Sequence, residues 1–502
     1  MEDSLVVESE ARDAVREAAR RRPGSTALIA GETSLSWADV DAAVDRAAGR
    51  LAALVDEPGG RVGIVLGNTV DFAVVYFGAL RAGLVAVPLN PGYSPDEIDY
   101  VLRDAGVSLV VTENQIAGAS CVPPDLGSGS SAQPAAPSAG QTAVLLYTSG
   151  TSGRPKGAML THAALAANHD QLDRIEPPVV GPDDVVLLSV PFFHAYGLNT
   201  GLGSVAHHAA TGVLVDRFDA AGSLAAIARH GVTVAVGVPG MFAAWSRQGD
   251  AATALATVRT AVCGAAPLDL ADAARFTAVT GKTLIIGYGL TEAAPVLTTT
   301  AVSDRSKAGS IGRPLPGVSL RLRTADGYVL WEDGTASPDE DLAELDLSVE
   351  DSAGTDPGEI VVRGDNLFSG YLPDGRDGPD ADGWWGTGDI AYADGDGDLH
   401  LVDRIGELIL VNGFNVYPAE IERVLDGHPG VAEAAVVAMD HPETGQAPHA
   451  YVVPALDPPP TEAELQVYCA AHLARFKLPG AIELVDSLPH SAIGKVRKRE
   501  LA

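Results

Sequence analysis

The stretch Tyr147-Thr-Ser-Gly-Thr-Ser-Gly-Arg-Pro-Lys-Gly157 decides how this chain is read. It follows the apolar run Val144-Leu-Leu146 and is rich in hydroxyls and glycines. Gly150, Gly153 and Gly157 allow positive φ and let backbone N–H groups approach an anion closely. Thr148, Ser149, Thr151 and Ser152 offer donors, and Lys156 adds charge, a composition that suits a polyphosphate. The spacing is not that of a Walker loop, because Gly157 and Ala158 follow the lysine where Ser or Thr would be needed. A flexible Ser/Gly linker is the competing reading. Linkers seldom follow directly on a strand such as Val-Leu-Leu-Tyr.

Outward from that loop, helical and strand patterns alternate. Residues 13–22, 38–54, 71–82 and 94–104 read as helices, and 26–29, 61–66 and 107–112 as strands. After a Pro/Gly/Ser/Ala-rich break at 117–141, strand signals resume at 143–146, 185–189, 232–238, 258–263 and 283–286, with helices between. The expected fold class is therefore α/β: a large N-terminal region of two α/β units plus a small β-rich unit over 311–402, and a small α+β C-terminal domain. Expected boundaries are 1–402 for the large region, 403–408 for a joint and 409–502 for the small domain. The acidic stretch 331–357 reads as a surface loop.

A chain of 502 residues, 46% hydrophobic, can bury a large core. Its net charge of −32, from 66 acidic and 34 basic residues, sets a field that repels nucleic acid and anionic membranes. A site for polyanions must then be a local basic pocket in an acidic shell. No apolar run is long enough for a membrane span and the N-terminus lacks a signal-peptide pattern, so a cytoplasmic location is expected. Three widely spaced cysteines, Cys121, Cys263 and Cys469, speak against a disulfide framework and are expected to be inert thiols.

Five further motifs follow in order: Pro191-Phe-Phe-His-Ala-Tyr-Gly197, Gly287-Tyr-Gly-Leu-Thr-Glu292, Thr387-Gly-Asp389, Asp403-Arg404 followed by Gly413-Phe-Asn-Val-Tyr-Pro-Ala-Glu-Ile-Glu422, and Ser491-Ala-Ile-Gly-Lys495. With them in view, the chain resembles the adenylate-forming superfamily of acyl-CoA synthetases, adenylation domains and luciferases, from about residue 24 to the C-terminus. That resemblance implies two half-reactions. A carboxylate attacks the α-phosphate of Mg-ATP to give an acyl adenylate and pyrophosphate, and a thiol then displaces AMP. Joining two anions requires cations and oriented dipoles where negative charge accumulates.

The resemblance also implies roles. Lys495 bridges the carboxylate and the α-phosphate, Thr291 and Glu292 hold the α-phosphate and Mg²⁺, and His194 stands near the acyl carboxylate. Tyr288 stacks on adenine, with Gly264, Ala265, Ala266 and Gly289 around the nucleotide. Asp389 accepts the ribose hydroxyls, Arg404 lies near ribose and phosphate, and Gly413 and Phe414 line the coenzyme A channel. The acyl pocket is assigned to His194, Tyr196, Pro239, Met241, Gly264 and Gly287. The C-terminal domain is expected to swivel at Gly406, where relatives commonly carry Asp or Lys. The remaining histidines, His207 and His208 among them, show no ligand spacing, so Glu292 is the one metal ligand expected.

The His194 segment lacks the aspartate that amino-acid-activating relatives use, and Gly287 stands where malonate-activating relatives carry arginine. Both substrate classes are disfavoured. The small, apolar pocket segments fit an uncharged tail, so a medium- or long-chain fatty acid is expected first and a benzoate- or cinnamate-type aryl acid second. No carrier module follows Ala502, which favours coenzyme A as the thiol over a carrier protein loaded by a fatty acyl-AMP ligase. A catalytically silent ATP-binding protein is the reading from another class. The oligomeric state is left open.

Overall fold

A computed structural model describes residues 10–125, 136–148, 155–305, 307–336, 354–404, 407, 409–411, 414–441, 445–473, 475–491 and 494–501. Ser149, Gly150, Thr151, Ser152, Gly153, Gly406 and Gly413, like most of the acidic stretch, lie outside those residues. Close contacts divide the chain into two units: residues 1–308, 312–318 and 363–385 in one, and 309–311, 319–362 and 386–502 in the other. The β-rich segment thus groups with the C-terminal region.

The first unit is built on two sheets. One runs Cys121–Val122, Leu109–Thr112, Arg61–Val65, Val85–Pro88, Thr142–Thr148, Lys156–Thr161, with every pair parallel except the last. That last pair is antiparallel, so the glycine-rich stretch connects strand Thr142–Thr148 to the edge strand Lys156–Thr161. The other sheet has nine strands. Its parallel centre is Leu284–Gly289, Thr260–Cys263, Val234–Gly237, Val185–Leu188, Thr211–Leu214 and Thr26–Ala30. Antiparallel strands flank it: Val296–Thr299 and Arg313–Pro314 beyond Leu284–Gly289, and Thr33–Ser36 beyond Thr26–Ala30. The central strands are buried, which is why they read as continuous Val/Ile/Leu/Ala runs rather than alternating ones.

Helices start where the sequence signals them. Ser36 and Asp39 form a reciprocal capping box on Trp37–Leu54, and Ser94 and Glu97 do so on Pro95–Asp104, where Pro95 takes the first turn. Helix Val70–Arg81, capped by Thr69, brings Phe72 within 5.3 Å, ring centroid to ring centroid, of Phe192. One core cluster thereby joins both sheets to the loop that carries His194.

The second unit holds a six-stranded sheet ordered Thr335–Ala336, Val329–Glu332, Ser319–Arg323, Gly358–Arg363, Trp385–Ala393, Leu399–Arg404. Its other sheet contains Phe414–Val416, Ile409–Val411, Gly445–Pro454 and Val431–His441, with Ala481–Leu484 parallel on Gly445–Pro454. Helices Pro418–Asp426 and Glu462–His472 contribute Ile421, Leu425, Leu465 and Cys469 to its core. This α+β arrangement is the one the sequence implies. The three cysteines are free, and burial pushes the Cys263 thiol up to about 12, so it stays protonated and inert.

Candidate active site

In a parallel sheet, ligands sit beyond the carboxyl ends of the strands, where loops diverge. Four of the expected segments lie there in the first unit. Val185–Leu188 leads to Pro191–Tyr196, Val234–Gly237 to Pro239 and Met241, Thr260–Cys263 to Gly264, and Leu284–Gly289 ends in Gly287, Tyr288 and Gly289. Registers pair Gly237 with Cys263 and Cys263 with Ile286, so these ends are level. A Cβ on Gly264 would lie 3.0 Å from the Gly287 carbonyl and 3.5 Å from the Tyr196 ring, whereas one on Gly287 would meet nothing within 4 Å. Gly264 is thus a close-packing glycine, and Gly287 opens a face.

Tyr196 closes one wall. Its buried hydroxyl donates to the carbonyls of Gly237 and Val262, 3.3 and 3.1 Å away, and burial holds its pKa well above the ordinary phenol value. His194 keeps some exposed surface, yet desolvation lowers its pKa to about 4. The Tyr196 N–H donates to its Nδ1 at 3.3 Å, which leaves the ring proton on Nε2. His194 is therefore a neutral hydrogen-bond donor at physiological pH. Its loop is held by Asn68, which accepts from the Phe192 N–H and donates to the carbonyls of Leu188 and Val190. Gly197 permits the close turn, because a Cβ there would come within 2.3 Å of the Pro191 carbonyl oxygen.

Thr291 and Glu292 lie on the single-turn helix Thr291–Ala293. The Glu292 carboxylate is buried and accepts from the Tyr371 hydroxyl at 2.5 Å, while its carbonyl accepts from the Phe368 N–H. Buried amides fix this turn: Asn366 donates to the Ala293 carbonyl at 2.7 Å, and Asn168 bonds both polar backbone groups of Val296. Gly289 is required here, since a Cβ would fall 1.8 Å from the Pro295 carbonyl oxygen. Ala265 adopts a left-handed φ of 71°, turning the chain sharply beside Gly264.

At the hairpin mouth Thr148 and Lys156 face each other in register. Lys156 Nζ is 3.0 Å from Asp377 Oδ2 and lies 5.0 Å from the centre of the Tyr371 ring. Thr148 Oγ1 is buried with no hydrogen-bond partner among the described residues. An orphaned hydroxyl of that kind is suited to a ligand oxygen.

In the second unit, Asp389 is buried in strand Trp385–Ala393 and pairs by backbone register with Arg404. Its N–H donates to Thr387 Oγ1, which donates in turn to the Ile360 carbonyl, while Gly388 takes the positive φ of 75° that places the aspartate. Asp403 accepts the Ala419 N–H at 3.0 Å and so caps helix Pro418–Asp426. Lys495 closes an exposed loop in which the Ser491 N–H donates to its carbonyl at 2.8 Å and its own N–H donates to Ser491 Oγ. Phe414 lies on strand Phe414–Val416. The structure thus gathers His194, Tyr196, Met241, Gly264, Gly287, Thr291 and Glu292 in the first unit, and places Asp389, Arg404 and Lys495 in the second. Sequence reading missed Asn68, Asn168, Asn366 and Tyr371, whose partners lie too far along the chain to leave a spacing signal.

Residues 15–372 match the AMP-binding enzyme family, and residues 420–495 match the AMP-binding enzyme C-terminal domain. A feruloyl-CoA synthase from Amycolatopsis sp. is 33% identical over 511 residues, covering 96% of each chain. A long-chain-fatty-acid–CoA ligase from Yersinia pestis is 32% identical over 89% of this chain and 85% of its own. Among solved structures, O-succinylbenzoate coenzyme A synthetase from Bacillus subtilis in complex with ATP and magnesium ion superposes with a TM-score of 0.84. It shares 29% identity and covers 98% of this chain and 100% of its own. The chain belongs to the AMP-binding enzyme family.

Proposed function

We propose that this member of the AMP-binding enzyme family activates an aryl carboxylic acid of the hydroxycinnamate kind and passes the acyl group to coenzyme A. At the coarser level the chain is an AMP-forming acid–thiol ligase that uses ATP and Mg²⁺. The expectation of a fatty acid gives way to the aryl reading. The feruloyl-CoA synthase matches more of this chain than the fatty-acid ligase does, and the superposed structure belongs to an enzyme whose named acid also carries a benzene ring.

The observation that carries the aryl reading is the open face at Gly287, whose carbonyl lies against Gly264 beside the ring of buried Tyr196. A flat ring can lie against bare backbone there, while the neutral His194 Nε2–H hydrogen-bonds the carboxylate without binding it as a cation would. In this reading the hairpin at 147–157 receives the phosphates, with Thr148 Oγ1 donating to an anionic oxygen. Mg²⁺, when bound, neutralises phosphate charge, and the buried Glu292 is the carboxylate that would hold it. Asp389 takes the ribose, and Lys495 offsets repulsion between the two reacting anions. Acid-dependent AMP release with coenzyme A, measured over a panel of cinnamates, benzoates and fatty acids, is the test. Hydroxycinnamates are expected to give the highest kcat/KM, and Gly287→Leu is expected to lower it about 10- to 100-fold for them by filling the slot. A panel headed by an alkyl acid, or an indifferent Gly287→Leu, overturns the assignment.

We further assign residues 1–402 to acid and nucleotide binding, 403–408 to a hinge and 409–502 to a mobile lid. Glycine at 406 gives the hinge wide φ/ψ freedom. Gly406→Pro is expected to spare adenylate formation, read as pyrophosphate exchange, and to cripple thioester formation. Equal loss of both half-reactions contradicts the hinge.

A further inference from the structure

Away from the acyl and phosphate segments, two helices of the first unit end against each other. Helix His162–Leu172 stops at Asp173, and helix Ser204–His208 stops at Ala209, which turns left-handed with a φ of 55°. The Asp173 carboxylate spans the last turn of the second helix. One oxygen is 2.8 Å from His207 Nε2 and the other 3.3 Å from His208 Nε2. All three ligand atoms lie within 4.8 Å of one another. In the sequence these histidines show no ligand spacing, because their carboxylate partner stands 34 positions upstream of His207.

We propose that Asp173, His207 and His208 form a binding site for a late divalent transition-metal ion of the zinc class, completed by water. Two imidazoles and one carboxylate suit zinc, copper or nickel rather than magnesium or calcium. Metal–ligand bonds of about 2.0–2.1 Å set the edges of a tetrahedron at about 3.3 Å, and the two carboxylate–imidazole separations, 2.8 and 3.3 Å, lie near that edge. The field is also favourable. Both helices direct their carbonyl ends at this point, which attracts positive charge, and Asp184 adds to the attraction. Arg21 opposes it, but its guanidinium is engaged with the His207 carbonyl.

The supporting shell is built as well. His169 is buried and stacks on His207 with ring centroids 4.9 Å apart and planes at 18°. Its Nε2 is 3.0 Å from Asn199 Oδ1, and its Nδ1 is buried without a partner among the described residues. His207 also lines a cavity of about 660 Å³ together with His162, His169 and Asn199. A metal bound through Nε2 leaves the proton of each imidazole on Nδ1. Because the π-helix Tyr196–Gly203 runs directly into Ser204–His208, a bound metal fixes the far end of the segment that starts at the acyl-pocket tyrosine.

The test uses the full-length protein, stripped with chelator, exchanged into chelator-free buffer and titrated with Zn²⁺ and separately with Co²⁺. One tight equivalent per chain, a raised Tm and cobalt ligand-field bands are expected. His207→Gln/His208→Gln should abolish the equivalent and the bands while retaining wild-type circular dichroism without metal. Asp173→Asn, which keeps a hydrogen-bond acceptor, should weaken binding about tenfold or more. A wild-type chain that takes up no tight equivalent, or a double variant that keeps it, overturns the proposal. Should the double variant fail to fold, His208→Gln carries the test, and unaltered cobalt bands in that variant overturn the proposal equally.

Discussion

Lys495→Ala is expected to lower acid-dependent ATP–pyrophosphate exchange by about 10²- to 10³-fold while leaving the urea midpoint unchanged. The magnitude is that of removing one preorganised donor from developing negative charge. The intact midpoint follows from the position of Lys495, which is exposed at the end of the Ser491 loop. Three residues on, Lys498 is a different kind of lysine. It is mostly buried, and its ammonium lies 2.8 Å from both Glu407 and Glu422. Burial raises the Glu422 pKa even against that ammonium, so removing Lys498 leaves a carboxylate with little solvation. Lys498→Ala should therefore cost about 3–5 kcal/mol of stability, as expected when one partner of a buried pair is deleted. The two variants divide the basic tail into a lysine that acts on substrate and one that holds the fold. If Lys495→Ala keeps wild-type exchange, or loses it only by unfolding, the catalytic assignment fails.

That division shows what could be read in advance. Motifs whose residues lie next to one another in sequence are easy to place: Thr148 and Lys156 face each other on paired strands, the Thr291–Glu292 turn follows strand Leu284–Gly289, and Gly388–Asp389 lies within strand Trp385–Ala393. Hydrophobic runs located the parallel strands because both faces of such a sheet are covered. What could not be read was long-range polar support. Asn68 bonds to Phe192 across 124 positions, and Tyr371 reaches Glu292 across 79. A lone asparagine or tyrosine carries no mark of such a partner in the chain. The π-helix Tyr196–Gly203 was hidden for another reason. Gly197, Gly201 and Gly203 give that segment poor intrinsic helicity, and tertiary packing of Leu198 and Leu202 imposes it. The sequence does not choose the acid, because small, apolar pocket residues suit an alkyl tail as well as a ring, and the open face at Gly287 is visible only once Gly264 and Tyr196 are placed beside it.

The chain should lose stability steeply as pH falls from about 6.5 towards 4, well before its carboxylates titrate. Four histidines cause this. Burial lowers His162, His194 and His208 to about 4 and His169 to about 3, from an ordinary value of 6.5. The unfolded chain therefore binds more protons than the folded one throughout that window, and stability rises with pH there. The contribution is complete above about pH 6.5 and is lost as each folded-state value is approached. A displacement from 6.5 to about 4 corresponds to about 3.4 kcal/mol. One such group already exceeds half the stability of an ordinary domain at the lower end of the usual range, about 5 kcal/mol. Few groups oppose the trend. Burial raises Asp71 and Glu422, which gain stability on acidification. Burial also works against Asp173 and Asp184, yet hydrogen bonds from His207 and Arg259 hold both below the usual carboxylate range, so their loss comes only below about pH 4. Within its own pocket His169 faces His207 and His208, whose protonation would disfavour its own, and Asp173, which favours it. Urea titrations in chelator at successive pH values read the effect directly. Uptake of two or more protons on unfolding near pH 5.5 is expected, equivalent to about 2.7 kcal/mol per pH unit. His162→Gln/His169→Gln should flatten that slope by one to two protons. A midpoint that stays constant from pH 7.5 down to 5 would mean these rings are solvated in the folded chain, and the neutral His194 donor invoked for the acyl carboxylate would fall with them.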